Sequence, residues 1–330
     1  MRIIITGASS FLGRAFIRRL TEKGACILPE AEDQREKESL LVQPKAADEK
    51  AAGRKGADPK TAGNADELVL FRHSFEEAPE RLPETADAFV HFAWGGVGSA
   101  GRSDEAIQAQ NVKLSMAALR MAEKLSCSRF LFAGSQAEYG GAQKESLEQL
   151  ESGPCAPVSA YGKAKLQFGE WGARFAASPS DPNQTERKLR FIHMRIFSVY
   201  GPGDHKTSLI ESCVRAFRKN EPMELGNCTQ EWDYLYIDDA AAAIEGLLRS
   251  EKASGIYNIG SGDRRPLNAY IKEAREVVMS SSRLHFGVRG DHAEGAVSLA
   301  PSLARLWQET GFRPSVSFRE GILRTSEAER

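Results

Sequence analysis

The start of the chain admits few folds. Arg2–Thr6 (RIIIT) is a β-branched run of the kind that forms a strand buried on both faces. It passes directly into TGASSFLG, where Gly7 and Gly13 bracket a turn, and Phe11, Ala15, Phe16 and Leu20 then recur at helical spacing until Gly24. Residues 25–28 read as a short second strand. Strand, helix and strand in this order make a βαβ unit, which requires parallel pairing. The alternation continues. Residues 68–71, 88–93, Arg129–Ala133 and Arg190–Ile196 read as strands, and residues 159–175 as a long helix. Leu114, Ala117, Ala118, Met121 and Leu125 place an apolar stripe on a helix over about 103–125. The expected fold is α/β, a Rossmann-type doubly wound parallel sheet with a smaller mixed C-terminal lobe. The expected division is the doubly wound domain over residues 1–200 and mainly the smaller lobe over 201–330, with some segments returning to the first domain.

Between Gln43 and Glu67 the chain has no Val, Ile, Leu, Met, Phe, Trp, Tyr or Cys. Such a segment buries too little apolar surface to offset its ordering entropy, so residues 30–66 read as a mobile surface insertion. Lys and Arg number 44 against 45 Asp and Glu, a formal net charge of -1. There is no basic excess to neutralise nucleic-acid phosphates or hold a membrane surface. No apolar run approaches the roughly 20 residues that span a bilayer, and the N-terminus lacks the pattern of an export leader. The five cysteines form no CxxC pair, which points to reduced thiols in a cytoplasmic protein. The six histidines are scattered without helical ligand spacing, so no metal is expected.

Three pieces of sequence carry chemistry. In TGASSFLG the glycines permit a tight turn and close backbone approach to a pyrophosphate at a helix N-terminus, although Ser10 stands where a middle glycine would be. By itself the motif fits a dinucleotide site or an ordinary strand-to-helix turn. Tyr161 and Lys165 (YGKAK) are four apart, so both project from one helix face, and a cation beside a phenol favours the phenolate. A solvated helix face is the plain alternative for that spacing. GSQAEYG follows the Arg129–Ala133 strand, so Ser135 emerges at the carboxyl end of a parallel sheet, where ligands bind.

With these pieces in order, the chain resembles the extended short-chain dehydrogenase/reductase family of NAD-dependent sugar epimerases, dehydratases and reductases. AFVHFAW, PVSAYGKAK, RIFSVYGPGD, EWDYLYIDDAA and GIYNIGSG follow in family order. The resemblance implies NAD or NADP as cofactor and a nucleotide sugar as substrate. It implies that Ser135 hydrogen-bonds the sugar carbonyl or hydroxyl, that Tyr161 transfers the proton, and that Lys165 holds the nicotinamide ribose. Gly7, Ser9, Ser10, Phe11, Leu12 and Gly13 would lie along the cofactor, with Phe92, Ala93, Asn111 and Phe197 around it. Asn111 and Phe197 could equally serve packing alone. Trp94, Gln136, Ser198, Trp232 and Arg289 are the implied substrate contacts.

Departures from the family pattern narrow the reaction. The acidic residue that takes the adenosine ribose cannot be placed, since Glu30 or Glu32 would favour NAD and Arg35 or Lys37 NADP. Trp232 stands where an arginine clamps the nucleotide diphosphate, and Ser198 where an asparagine is usual. Gln136 and Ala137 replace the Asp–Glu pair of family dehydratases, which removes the proton relay for loss of water. Hydride transfer at one carbinol remains, either as net reduction of a 4-keto sugar or as 4-epimerisation. Bulky Trp94 should hinder the flip of a keto intermediate, which favours reduction. A non-catalytic dinucleotide sensor is the reading from another class. Finally, the resemblance implies a homodimer built on the two long helices, and apolar residues on several sides of helix 103–125, Met116, Leu119 and Ala122 among them, offer surface for it.

Overall fold

The computed structural model describes residues 1–28, 65–140, 148–178, 189–290 and 298–328. Most of the segment expected to be a mobile insertion, and with it Glu30, Glu32, Arg35 and Lys37, lies outside the described residues. Asp66, at its end, is fixed: it accepts from the amino group of Met1 at 3.0 Å and pairs with Arg249.

The chain runs β1 (Arg2–Thr6), α1 (Phe11–Glu22), β2 (Cys26–Ile27), β3 (Glu67–Phe71), β4 (Ala88–His91), α2 (Ser99–Arg102), α3 (Glu105–Lys124), β5 (Arg129–Ala133), α4 (Ala160–Ala177) and β6 (Arg190–Ile196). There follow β7 (Ser198–Tyr200), α5 (Leu209–Arg218), β8 (Met223–Glu224), β9 (Glu231–Trp232), β10 (Tyr234–Tyr236), α6 (Ile237–Arg249) and β11 (Gly255–Ile259). The described chain closes with β12 (Arg265–Pro266), α7 (Leu267–Val277), β13 (Leu284–His285), α8 (Ala304–Thr310) and α9 (Phe318–Ala328).

Seven strands form one parallel sheet in the order β11-β6-β5-β4-β1-β3-β2. The continuous apolar strands are explained by cover on both faces. Ile3 and Ile5 of β1 face Phe16, Ile17 and Leu20 of α1 and Ile244 and Leu247 of α6, whereas Ile4 turns to the opposite core. There Phe89, Phe130, Phe132 and Phe191 meet Val112, Ala118, Leu119 and Ala122 of α3 and Ala164 and Phe168 of α4. A third core joins Tyr200, Tyr234 and Tyr236 to α5, α7 and α9 through Ile210, Phe217, Tyr270 and Phe318.

One expectation about α3 needs correction. Leu119 and Ala122 are fully buried against the sheet, so neither is surface for a second subunit. The core-facing row also contains the polar residues Gln108, Asn111 and Ser115, which are buried because each is hydrogen-bonded. Leu114, Ala117 and Met121 lie half-buried on the flank instead.

Candidate active site

The strand order reverses where β1 lies between β3 and β4, which opens a crevice at the carboxyl ends of β1 and β4. Gly7 leaves β1 with φ +74°, and a Cβ there would come within 2.4 Å of the Ala93 nitrogen beyond β4. Glycine therefore lets the two strand exits touch. Ser10 has φ -67° and ψ 160°, a conformation open to any residue, and its hydroxyl accepts from Gly13 N at 3.0 Å. The serine that departs from the glycine pattern is thus the N-cap of α1. Phe11 and Leu12 occupy the first turn, whose amides an α-helix does not pair internally. Arg14 donates to the Ser9 carbonyl at 2.5 Å and to the Gly203 carbonyl at 3.1 Å, tying this loop to the segment after β7.

Beyond β4, the segment from Ala93 to Gly101 is clamped by α3. Asn111 accepts from Gly95 N and donates to Gly95 O, both at 2.9 Å, pairing with the backbone as a neighbouring strand would. Gln108 donates to the Gly101 and Gly96 carbonyls, and its Oε1 accepts from Trp94 Nε1 at 2.8 Å. These bonds fix the Trp94 indole. Its ring lies 6.3 Å from that of Tyr161, edge to face, and 3.8 Å from Lys165 Nζ.

Lys165 is buried on α4 and donates to the Ala133 carbonyl at the end of β5, at 2.6 Å. Its Nζ is 5.6 Å from the Tyr161 ring centroid. Burial lowers its pKa to about 7, against the upward pull of the Glu138 carboxylate. The Arg102 guanidinium sits over the Tyr161 ring at 4.6 Å. Tyr161 therefore has cationic groups from both α4 and α2 within reach of its ring. Ser135 caps the turn of residues 136–138, its hydroxyl accepting from Ala137 N at 3.2 Å. That turn is pressed onto α4 beside Tyr161, since a Cβ on Gly162 would fall 2.5 Å from the Ala137 carbonyl oxygen.

Sequence-predicted residues thus converge from three elements: Ala93 and Trp94 after β4, Ser135 after β5, and Tyr161 and Lys165 on α4. Gln136, Ser198 and Trp232 also meet, with Ser198 Oγ accepting from Gln136 Nε2 at 3.1 Å and from Trp232 Nε1 at 2.8 Å. Gln136 Oε1 is buried without a hydrogen-bond partner among the described residues. Phe92 packs inward on Phe16 at 5.6 Å, and Phe197 is buried against Tyr139 at 6.1 Å. Arg289 is exposed on the segment after β13, its amide donating to the Leu225 carbonyl at 3.1 Å.

Sequence reasoning missed two buried polar groupings. His91 Nδ1 faces Thr6 Oγ1 at 2.7 Å and its Nε2 faces Ser115 Oγ at 2.9 Å. Ser115 donates its own proton to the Asn111 carbonyl, so Nε2 carries the imidazole hydrogen and Nδ1 accepts from Thr6. Glu138 is fully buried, with His193 Nε2 at 3.0 Å, Arg195 Nε at 3.0 Å and Ser135 N at 2.8 Å. The signal was present in RFIHMRI, where His193 and Arg195 alternate on one face of an otherwise apolar strand.

The family model described as "NAD dependent epimerase/dehydratase family" matches residues 3–260. Among curated proteins, the ADP-L-glycero-D-manno-heptose-6-epimerase of Nitratidesulfovibrio vulgaris is 25% identical over 288 residues, covering 81% of this chain and 78% of that one. DesIV, the dTDP-glucose 4,6-dehydratase of Streptomyces venezuelae solved with NAD, has a TM-score of 0.75 at 22% identity, over 100% of this chain and 97% of that chain. RMD from Pseudomonas aeruginosa, solved with NADPH, has a TM-score of 0.71 at 20% identity and covers 100% of both chains. At these identities the two solved structures speak to the fold alone.

Proposed function

The chain belongs to the NAD-dependent epimerase/dehydratase family, and from that premise we propose that it transfers a hydride at one carbinol or keto carbon of a nucleotide-linked sugar, with net reduction of a 4-keto sugar as its reaction. The observation that carries this reading is the convergence of Ser135, Tyr161, Lys165 and a fixed Trp94 at the carboxyl edge of the sheet.

The chain's own residues fit a dinucleotide. Gly7 keeps the crevice floor free of side chain, and the first turn of α1 offers the Phe11 and Leu12 amides to a diphosphate. Bound NAD or NADP would supply the hydride donor or acceptor. Tyr161 gives a proton to the sugar oxygen during reduction and takes it during oxidation. Ser135 holds the same oxygen. The Lys165 ammonium favours the Tyr161 phenolate and would hold the nicotinamide ribose of a bound cofactor. Gln136, Ser198 and Trp232 line the substrate side, and Gln136 Oε1 provides an acceptor for a sugar hydroxyl. Gln136 and Ala137 supply no acid–base pair for dehydration.

Reduction is favoured because the Trp94 ring is immobilised against Lys165 and Tyr161, where it would obstruct turning of a keto intermediate. Purified protein given NADH or NADPH and dTDP-4-keto-6-deoxyglucose should consume the nicotinamide absorbance. The similarity to a heptose epimerase favours a second reading, epimerisation. Conversion of UDP-glucose to UDP-galactose without net cofactor change would support it and overturn the first.

We also propose a homodimer through α3 and α4, carried by the half-buried Met121, Trp171 and Phe175 on their outer flank. A reducing, cytoplasmic setting suits five cysteines that form no disulfide. No described helix is long and apolar enough to cross a membrane.

A further inference from the structure

Glu138 is a carboxylate with no side-chain surface, set under the turn that carries Ser135. A buried charge is tolerated only when paired and hydrogen-bonded. Here one oxygen accepts from Ser135 N at 2.8 Å and from His193 Nε2 at 3.0 Å, and the other from Arg195 Nε at 3.0 Å. The cluster has a made-to-measure slot, since a Cβ on Gly134 or Gly169 would fall within 2.4 Å of a His193 ring atom. Arg195 is held in turn by the Glu151 carbonyl at 3.2 Å and by the Tyr139 ring at 4.6 Å. Tyr139 is fixed by Asn258 at 2.6 Å.

The hydroxyl of Ser135 is therefore not positioned by the end of β5 alone. Its amide is bonded to a carboxylate that β6 holds by two cationic or proton-donating side chains. The same carboxylate stands 2.6 Å from where a Gly134 Cβ would be, next to the Ala133 carbonyl that receives Lys165 Nζ, so it lies close to the buried cation of α4 and opposes the effect of burial on it. We propose that Glu138, seated on His193 and Arg195, is a positioning residue with two functions: it holds Ser135 in place and sets a negative charge beside the Lys165 amine. This role rests on the catalytic reading of Ser135 and Lys165 given above.

The ionisable groups around the cluster are His193 and Arg195 on β6, Lys165 on α4, and Tyr139, Glu151 and Cys155 on the segments following β5. Burial opposes the ionisation of Glu138, but His193, Arg195 and the Ser135 amide outweigh it and hold the carboxyl below its ordinary range. The carboxylate is thus a fixed charge through the range in which Lys165 titrates.

Two substitutions separate the two functions. Glu138→Gln removes the charge. Glu138→Asp keeps the charge and withdraws the carboxylate from the Ser135 amide. The Lys165 titration is followed by NMR of 13C-labelled lysine side chains in the full chain without substrate, the resonance being assigned by its loss in Lys165→Met. The Glu138→Gln midpoint should move down by about one pH unit, the smaller end of the effect of a nearby opposite charge. In Glu138→Asp the midpoint should stay, while hydrogen exchange at the Ser135 amide accelerates about tenfold, the loss expected for one hydrogen bond. An unmoved lysine midpoint in Glu138→Gln, or unchanged Ser135 exchange in Glu138→Asp, overturns the proposal. If Glu138→Gln does not fold, Glu138→Asp and His193→Gln decide through Ser135 exchange. These measurements need no turnover. Shifts as expected with no nucleotide sugar consumed would uphold the positioning role and sink the reaction, and turnover with neither shift would do the reverse.

Discussion

His91 shows how a polar side chain can be buried at the heart of this site without costing the fold. Thr6 and Ser115 satisfy both ring nitrogens of the neutral imidazole, and burial, with the Lys165 charge adding to it, lowers its pKa to about 3. In the unfolded chain it titrates near its ordinary value of about 6.5. Between those values the unfolded chain binds a proton that the native state refuses, so stability from this residue is complete above about 6.5 and falls as pH drops toward 3. Urea midpoints measured from pH 7 to pH 4 should decline more steeply in the wild type than in His91→Gln. Tyr161→Phe should keep the fold and cofactor affinity and lose on the order of 10²–10⁴ in turnover, read by nicotinamide absorbance. At this scale Ser135, Tyr161 and Lys165 were legible because each sits in a short ordered motif. Glu138, His193 and Arg195 were not, because their meaning lies in a contact between β5's exit and β6, separated by more than 50 residues of sequence.

Among the elements, the parallel strands were readable from apolar runs alone, and Arg2–Thr6, Arg129–Ala133 and Arg190–Ile196 begin and end as expected. Strands β2 and β4 are shorter than expected. The chain after His91 makes one more sheet bond, Phe92 N to the Thr6 carbonyl at 2.9 Å, and then turns toward the site. The face of α3 was misread because hydropathy counts Gln108, Asn111 and Ser115 as solvent-facing, whereas backbone partners pay for their burial. Helix α4 shows the opposite case, in which aromatic packing dominates. Phe168 is fully buried, 4.6 Å edge to face from Phe132 and 5.9 Å from Phe191. Phe168→Ala should cost about 3–5 kcal/mol, measured as a lower denaturant midpoint at unchanged slope.

On the scale of the whole molecule, the sheet brings the exits of β1, β4, β5 and β6 to one edge, and this common edge turns scattered motifs into one site. The proposed dimer leaves that edge open, because Met121, Trp171 and Phe175 lie toward the far ends of α3 and α4. Met121→Glu should shift sedimentation toward monomer with cofactor binding intact, whereas Leu119→Glu should unfold the chain because Leu119 has no exposed surface. A wild-type monomer at micromolar concentration would contradict the pairing. The central claim is hydride transfer to a sugar carbon with Tyr161 managing the proton, and isotope transfer tests it most directly. Wild-type protein is given dTDP-4-keto-6-deoxyglucose with NADH or NADPH deuterated at the transferable position, and the sugar product is weighed by mass spectrometry. The account predicts one deuterium at the new carbinol carbon, delivered on the order of 10²–10⁴ more slowly by Tyr161→Phe; a product without deuterium, or delivery at the wild-type rate by Tyr161→Phe, would contradict it.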